Sequence, residues 1–245
     1  MLKAIEKISQ PPSRTNIDEP TIPDTQNFTL GCNFTTDEYL YVLSKTKTKS
    51  APGSDCISNE IIRNLTQKTH DFILELYNDF FNTGEYPNSW KEYTVILIPK
   101  PKGNGYRPIS LAQNLLKNFE NILKNRMDWF TENNLDLPNS QYGFRKMRSG
   151  QDSVAVLTTG IASALSKGNS LGALFIDIEG AFDFVIPNLL IKDLIDIGYP
   201  ANIIKFIKFL LTSRYGEFFL EGKLVKKINI IKGSLQGERI LKTTV

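Results

Sequence analysis

Apolar positions recur along the chain with distinct rhythms, and each rhythm predicts a different element. Between Ser58 and Phe81, the residues Ile61, Ile62, Leu65, Phe72, Ile73, Leu76, Tyr77, Phe80 and Phe81 fall at helical spacing, and Gly84 is placed to end the last turn. One or two packed helices follow from this pattern. Leu115, Leu116, Phe119, Ile122, Leu123 and Met127 form another stripe, predicting a helix within residues 111–130. Ser149 is placed to cap a helix with an acidic first turn at Asp152, continuing past Val154, Leu157, Ile161 and Leu165 to Gly168. Two shorter helices are predicted around Pro187–Ile197 and Ala201–Leu211, separated by Gly198-Tyr199-Pro200, and Thr35 and Thr36 can cap a further one through Leu43.

Short β-branched and apolar runs stand apart from these stripes. Tyr93–Ile98, bounded by Pro99, and Leu171–Ile176 each predict a buried strand, with Asp177 at the C-terminal end of the second. Phe218–Leu220 and Leu224–Ile231 flank Glu221-Gly222-Lys223, a hairpin signal. Strands and helices alternate irregularly and no internal repeat is visible, so the pattern predicts an α+β fold. Pro11, Pro12, Pro20 and Pro23 among small polar residues make the N-terminal segment a lead-in linker. Lys45–Ser50 with Ala51–Asp55, and Lys100–Gly105, are basic loops of the kind that can touch a backbone phosphate.

Composition sharpens this picture in a few places. With 41% hydrophobic residues, a chain of 245 residues can bury one substantial core or two smaller lobes, which argues against disorder beyond the ends. The net charge of +3 is too small to prove a polyanion partner. From Lys205 to Val245, however, nine basic residues face three acidic ones, which either favours phosphate-rich partners or forms a solvated basic face. Cys32 and Cys56 are isolated, without zinc-ligand spacing. His70 has no cysteine or carboxylate partner at ligand spacing and is expected at the surface or as a cap. No apolar stretch reaches the ~18 residues needed to span a bilayer, so the expectation is an intracellular protein of nucleus or cytoplasm without membrane contact.

Candidate chemistry concentrates at Asp177. A carboxylate at the end of a rigid strand is a hard-oxygen ligand suited to magnesium, although an Asp in that position also serves as a helix cap or turn former. Upstream, Arg107 can fork onto phosphate oxygens while Lys100, or alternatively Lys102, adds a point charge. Arg145, Lys146 and Arg148, next to aromatic residues, suit contact with template backbone and stacked bases, or equally with the rest of the fold.

Four segments, Tyr106-Arg-Pro-Ile-Ser-Leu111, Gln141-Tyr-Gly-Phe-Arg145, Phe175-Ile-Asp-Ile-Glu-Gly-Ala-Phe-Asp183 and Gly233-Ser-Leu-Gln-Gly237, occur in the order found in reverse transcriptases. Together they resemble the non-LTR, LINE-type group. The resemblance implies a right-hand polymerase with fingers plus a partial palm and no thumb. It divides the chain into a linker (1–35), fingers (36–168) and partial palm (169–245). It also implies RNA-directed DNA synthesis on an RNA template and DNA primer from deoxynucleoside triphosphates, with Mg²⁺ or Mn²⁺ as cofactor. Carried over residue by residue, Asp177 becomes the catalytic metal ligand and Ile178 the residue lending its backbone carbonyl. Phe182 stands beneath the incoming sugar as a gate against a 2′-hydroxyl, or else packs in the core. Lys100 and Arg107 hold the triphosphate, and Gln236 lies beside nucleotide and primer end. Two departures qualify the match. Leu235 replaces the family proline before the glutamine, and no Tyr-x-Asp-Asp turn, which would supply the second carboxylate, occurs in these residues. The expectation is therefore a truncated domain with little or no activity alone, or a remnant that only binds RNA or DNA.

Overall fold

Four of the helices start at a residue whose side chain satisfies one of the first free amides: Thr35, Ser58, Thr66 and Ser149. In α1 (Thr36–Lys45), Thr35 Oγ1 accepts from the Glu38 amide at 3.2 Å while Glu38 Oε2 accepts from the Thr35 amide at 2.9 Å, a reciprocal capping box. Ser58 and Thr66 cap α2 (Asn59–Arg63) and α3 (Gln67–Thr83), and Gly84 ends α3 with a left-handed φ of 75°. The computed structural model describes residues 18–24, 29–99, 106–135, 137–178, 181, 184–220, 223–231, 233 and 240. Helices α4 (Asn114–Asn134), α5 (Gly150–Ser166), α6 (Pro187–Ile197) and α7 (Ala201–Leu211) follow within these.

Four strands pair in the order β2-β1-β3-β4, where β1 is Glu92–Pro99, β2 Tyr106–Leu111, β3 Arg214–Leu220 and β4 Lys223–Ile230. The β1–β2 and β3–β4 pairs are antiparallel, and β1 runs parallel to β3 with Glu92 opposite Tyr215 and Val95 opposite Phe218. All of α4 to α7 lies in the connection between those two central strands. The result is a mixed α+β architecture, as the pattern predicted.

The core gathers around α4 and α7. Phe119 of α4 is fully buried and meets the rings of Phe206, Tyr77, Trp90 and Phe34 at centroid distances of 4.7, 5.3, 5.4 and 5.4 Å. Ile203, Ile204, Phe206, Ile207 and Leu210 bury α7 on most of its circumference. A buried arginine ties the N-terminal loop to this core. Arg126 donates through Nε and Nη2 to Glu38 at 2.6 and 2.7 Å, through Nη1 to the carbonyls of Leu30 and Cys32 at 3.2 and 2.5 Å, and through Nη2 to Asn33 at 2.9 Å. All of its N–H groups are thereby engaged. Gly53 packs so close to α4's entrance that a Cβ there would stand 2.6 Å from the Gln113 nitrogen.

Several sequence expectations need correction. β2 is a strand that the pattern around Pro108 does not predict; it lies at the edge of the sheet, where proline is tolerated. β1 is only half buried, with Tyr93 and Val95 inward but Ile96 and Ile98 exposed. Leu171–Ile176 is not a buried strand: Leu174, Phe175 and Ile176 are 85, 81 and 82% exposed, and the segment pairs with no described strand. The described sheet places β3 beside β1, the position next to the first strand that this run would otherwise take. His70 is buried rather than at the surface, its Nδ1 2.9 Å from the Tyr39 hydroxyl. It shares the inward face of α3 with Ile73, Tyr77 and Phe81, the helical spacing that is the signal for its burial.

Candidate functional site

Asp177 and Ile178 lie on an open, irregular stretch after α5, both exposed to solvent, Ile178 to 74%. Helix α5 itself has no buried residue among those described. The described residues from α5 to Phe184 thus present apolar side chains outward, including Val154, Val156 and Leu165. Lys100, Phe182 and Gln236, with Glu179 and Asp183, lie outside the described residues. Arg107 occupies β2 opposite Ile98, and its side chain is likewise outside the description.

The first residue of the last sequence block is tied to the backbone two residues past the acidic one. Gly233, first residue of the Gly-Ser-Leu-Gln-Gly segment, has φ 76° and donates its N–H to the Val185 carbonyl at 3.1 Å, just beyond the acidic cluster. Its own carbonyl accepts from Arg214 Nη2 at 2.8 Å. Arg214 is fully buried at the start of β3, so it fixes this junction from inside. Sequence reasoning counted it only among the basic residues of the C-terminal segment. Other members of that set are also engaged: Lys227 pairs with Glu217 and Glu92 at 3.2 and 3.3 Å, and Lys208 pairs with Glu19.

The block after α4 is built on charge pairs within the protein. Arg145 donates to both Glu132 oxygens, at 3.0 and 2.8 Å, and to the Pro138 carbonyl at 3.0 Å. Arg148 donates to the Asn139 carbonyl and to Asn139 Oδ1 at 3.1 Å, while Lys146 is exposed. The Arg145 hydrogen bond holds the Glu132 carboxyl below its ordinary range and raises the Arg145 guanidinium in return. Next to it, Ser149 caps α5 in a reciprocal box with Asp152, whose pKa the Ser149 hydrogen bonds lower. The arginines, serine and aspartate of this block therefore have structural partners.

Asp177 and the Ile178 carbonyl are hard-oxygen donors of the type magnesium takes, but the described residues contain no cluster of three or more His, Cys, Asp or Glu able to hold an ion. The donor chemistry fits part of a metal site; the donor count does not complete one. Elsewhere, an open groove of about 360 Å³ is lined by Leu30, Glu38, Arg126 and Trp129, but its cation is spent on the loop it anchors. No described helix is long and apolar enough to cross a membrane.

Residues 98–240 match the family described as reverse transcriptase (RNA-dependent DNA polymerase). The chain is 30% identical over 184 residues to a probable RNA-directed DNA polymerase from transposon BS of Drosophila melanogaster, covering 73% of this chain and 20% of that protein. It is 31% identical over 195 residues to the RNA-directed DNA polymerase from mobile element jockey of the same fly, covering 77% of this chain and 21% of the relative. The jockey polymerase of Drosophila funebris is 32% identical over 164 residues, 64% of this chain and 18% of its own length. The chain thus spans about a fifth of the length of these curated relatives.

Proposed function

The chain belongs to the reverse transcriptase family of non-LTR mobile elements, and on that premise we propose that it forms the fingers (36–168) and part of the palm (169–245) of an RNA-directed DNA polymerase. The observation that carries this reading is the family match over residues 98–240, which contains all four sequence blocks in order. The Gly233–Val185 contact supports it, because it brings the first residue of the glutamine block beside a residue two places past the acidic one.

In this reading an RNA template, a DNA primer and deoxynucleoside triphosphates are the substrates, and the reaction takes place in nucleus or cytoplasm. Bound Mg²⁺ or Mn²⁺ would supply activation of the attacking hydroxyl and neutralisation of the leaving oxygen. Asp177 and the Ile178 carbonyl are its ligands from this chain. Arg107 and Lys100 hold the triphosphate by charge-assisted hydrogen bonds. Phe182 excludes a 2′-hydroxyl by bulk without offering it a hydrogen bond, and Gln236 lies against the nucleotide.

These 245 residues carry no Tyr-x-Asp-Asp turn, so the second carboxylate motif that the family pattern uses to complete a pair of ions ~3.5–4 Å apart is missing from them. The 245-residue polypeptide by itself therefore extends a primer little or not at all, which favours binding of RNA or DNA as what remains to it alone. Primer extension on an RNA template with Mg²⁺ or Mn²⁺, comparing the wild-type chain with Asp177→Asn, tests this. Unextended primer in both is the expected result. Synthesis by the wild-type chain that vanishes in Asp177→Asn would overturn the claim of incompleteness while upholding the role of Asp177.

A further inference from the structure

The turn that joins α4 to α5 is held in a backbone shape that its residues do not favour. Phe144 and Met147 have φ values of 58° and 59°, a left-handed conformation that non-glycine residues keep only where their surroundings impose it. The imposing contacts are those of the two arginines. Glu132, in the last turn of α4, takes both fork ends of Arg145, and Arg145 reaches on to the Pro138 carbonyl. Arg148 closes the same turn on Asn139. The Arg145 and Glu132 side chains are 11 and 26% exposed, so the pair is sheltered, while Lys146 between the two arginines stands in solvent.

We propose that Glu132 is a positioning residue: by clamping Arg145 it locks the 138–148 turn so that Lys146, rather than either arginine, is the cation of this block that meets a phosphate of single-stranded RNA. The proposal rests on the polymerase reading above and divides the block's cations into two that build the turn and one that uses it. Opposite signs separate this from direct contact by Arg145. If Arg145 touched phosphate, removing the neighbouring carboxylate would free it and tighten binding. If Arg145 is a clamp, removing either partner loosens the turn and weakens binding, even though Glu132→Gln makes the protein more positive.

The test uses the full chain and a fluorescently labelled oligouridylate, with anisotropy read over a salt series. Lys146→Ala should weaken binding severalfold and lower the slope of log K against log salt by about 0.7, the value for one phosphate of a single strand. Glu132→Gln and Arg145→Met should each weaken binding severalfold, and the charge swap Glu132→Arg with Arg145→Glu should recover most of it. Tightening by Glu132→Gln, or an unchanged slope in Lys146→Ala, overturns the proposal. Limited trypsin digestion reads the clamp independently: cleavage after Lys146 should accelerate in both single variants and slow again in the swap, and unchanged cleavage refutes the clamp whether or not RNA binds. Failure of the wild-type chain to bind at the lowest salt instead refutes the nucleic-acid reading and, with it, the role of Lys146, while the trypsin result still decides the clamp.

Discussion

Replacing Arg126 with methionine keeps the aliphatic stem in the core but removes the guanidinium that joins α4 to the loop before α1. Methionine has no donor for the Leu30, Cys32 and Asn33 carbonyls or for Glu38. The Leu30 bond is buried, and orphaning such an acceptor costs about 1–3 kcal/mol. Glu38 is 31% exposed, so water screens the lost ion pair and about 1 kcal/mol is its share. The guanidinium also lies 4.7 Å from the Phe34 ring centroid, adding about 0.5–1 kcal/mol. The variant should therefore lose about 3–4 kcal/mol. With a urea dependence of about 2–3 kcal/mol per molar, the unfolding midpoint should fall by about 1–2 M. A pH series supplies a second check. Burial raises the Glu38 pKa, but the Arg126 and Thr35 hydrogen bonds and the Arg126 charge outweigh it and leave the carboxyl below its ordinary 4.5. A depressed carboxyl contributes stability above 4.5 that is lost as pH falls through its lower folded value, so the wild-type chain should weaken on acidification and Arg126→Met should weaken less. A loss below about 1 kcal/mol, or strict additivity with Glu38→Gln, would refute the anchoring role.

Three further outcomes follow from the packing and burial already described. Phe119→Ala, at the centre of the ring cluster, should cost about 3–5 kcal/mol in a urea titration; a loss under 1 kcal/mol would mean the cluster does not organise the core. Gly53→Ala drives a Cβ to 2.6 Å from the Gln113 backbone, which cannot yield as a side chain does, and should cost about 1–3 kcal/mol; unchanged stability would contradict the close approach. Burial raises Tyr39 from 10.0 to about 12 and also holds Tyr77 well above its ordinary value, so the folded state holds protons that the unfolded chain releases. Stability should be undiminished by these groups below pH 10 and fall as pH rises through 10 to 12, with circular dichroism as readout; a fold indifferent to that range would refute their burial.

Helices were the most legible part of the sequence because their ends carry their own chemistry. Pro187–Ile197 and Ala201–Leu211 are bounded as read, with Pro at a first turn and Gly198 at φ 90° closing α6. The hairpin read around Glu221-Gly222-Lys223 is matched by the antiparallel pairing of β3 with β4, while Glu221 and Gly222 themselves lie outside the described residues. Strand identity was less so, because it depends on partners far along the chain. Pro108 hid an edge strand, and the apolar run at Leu171–Ile176 looked like a strand but found no neighbour among the described residues. Charge was hardest to place: Arg126 carries no sequence signal of its role, Arg145 is open between template and fold, and Arg214 is one of a basic set, yet each binds carboxylates or carbonyls of its own fold. Of the candidate site, the order of the blocks was visible from sequence alone. Which cations are committed to the protein became visible only from the contacts.

The most direct test of the central claim is equilibrium binding of this chain to a DNA primer annealed on an RNA template, measured over a salt series. A reverse-transcriptase fingers and palm region should bind at low salt, with log K falling by about 0.7–0.9 per phosphate contacted and a total slope of several such contacts. Absence of binding at the lowest salt, or affinity indifferent to salt, would contradict the account.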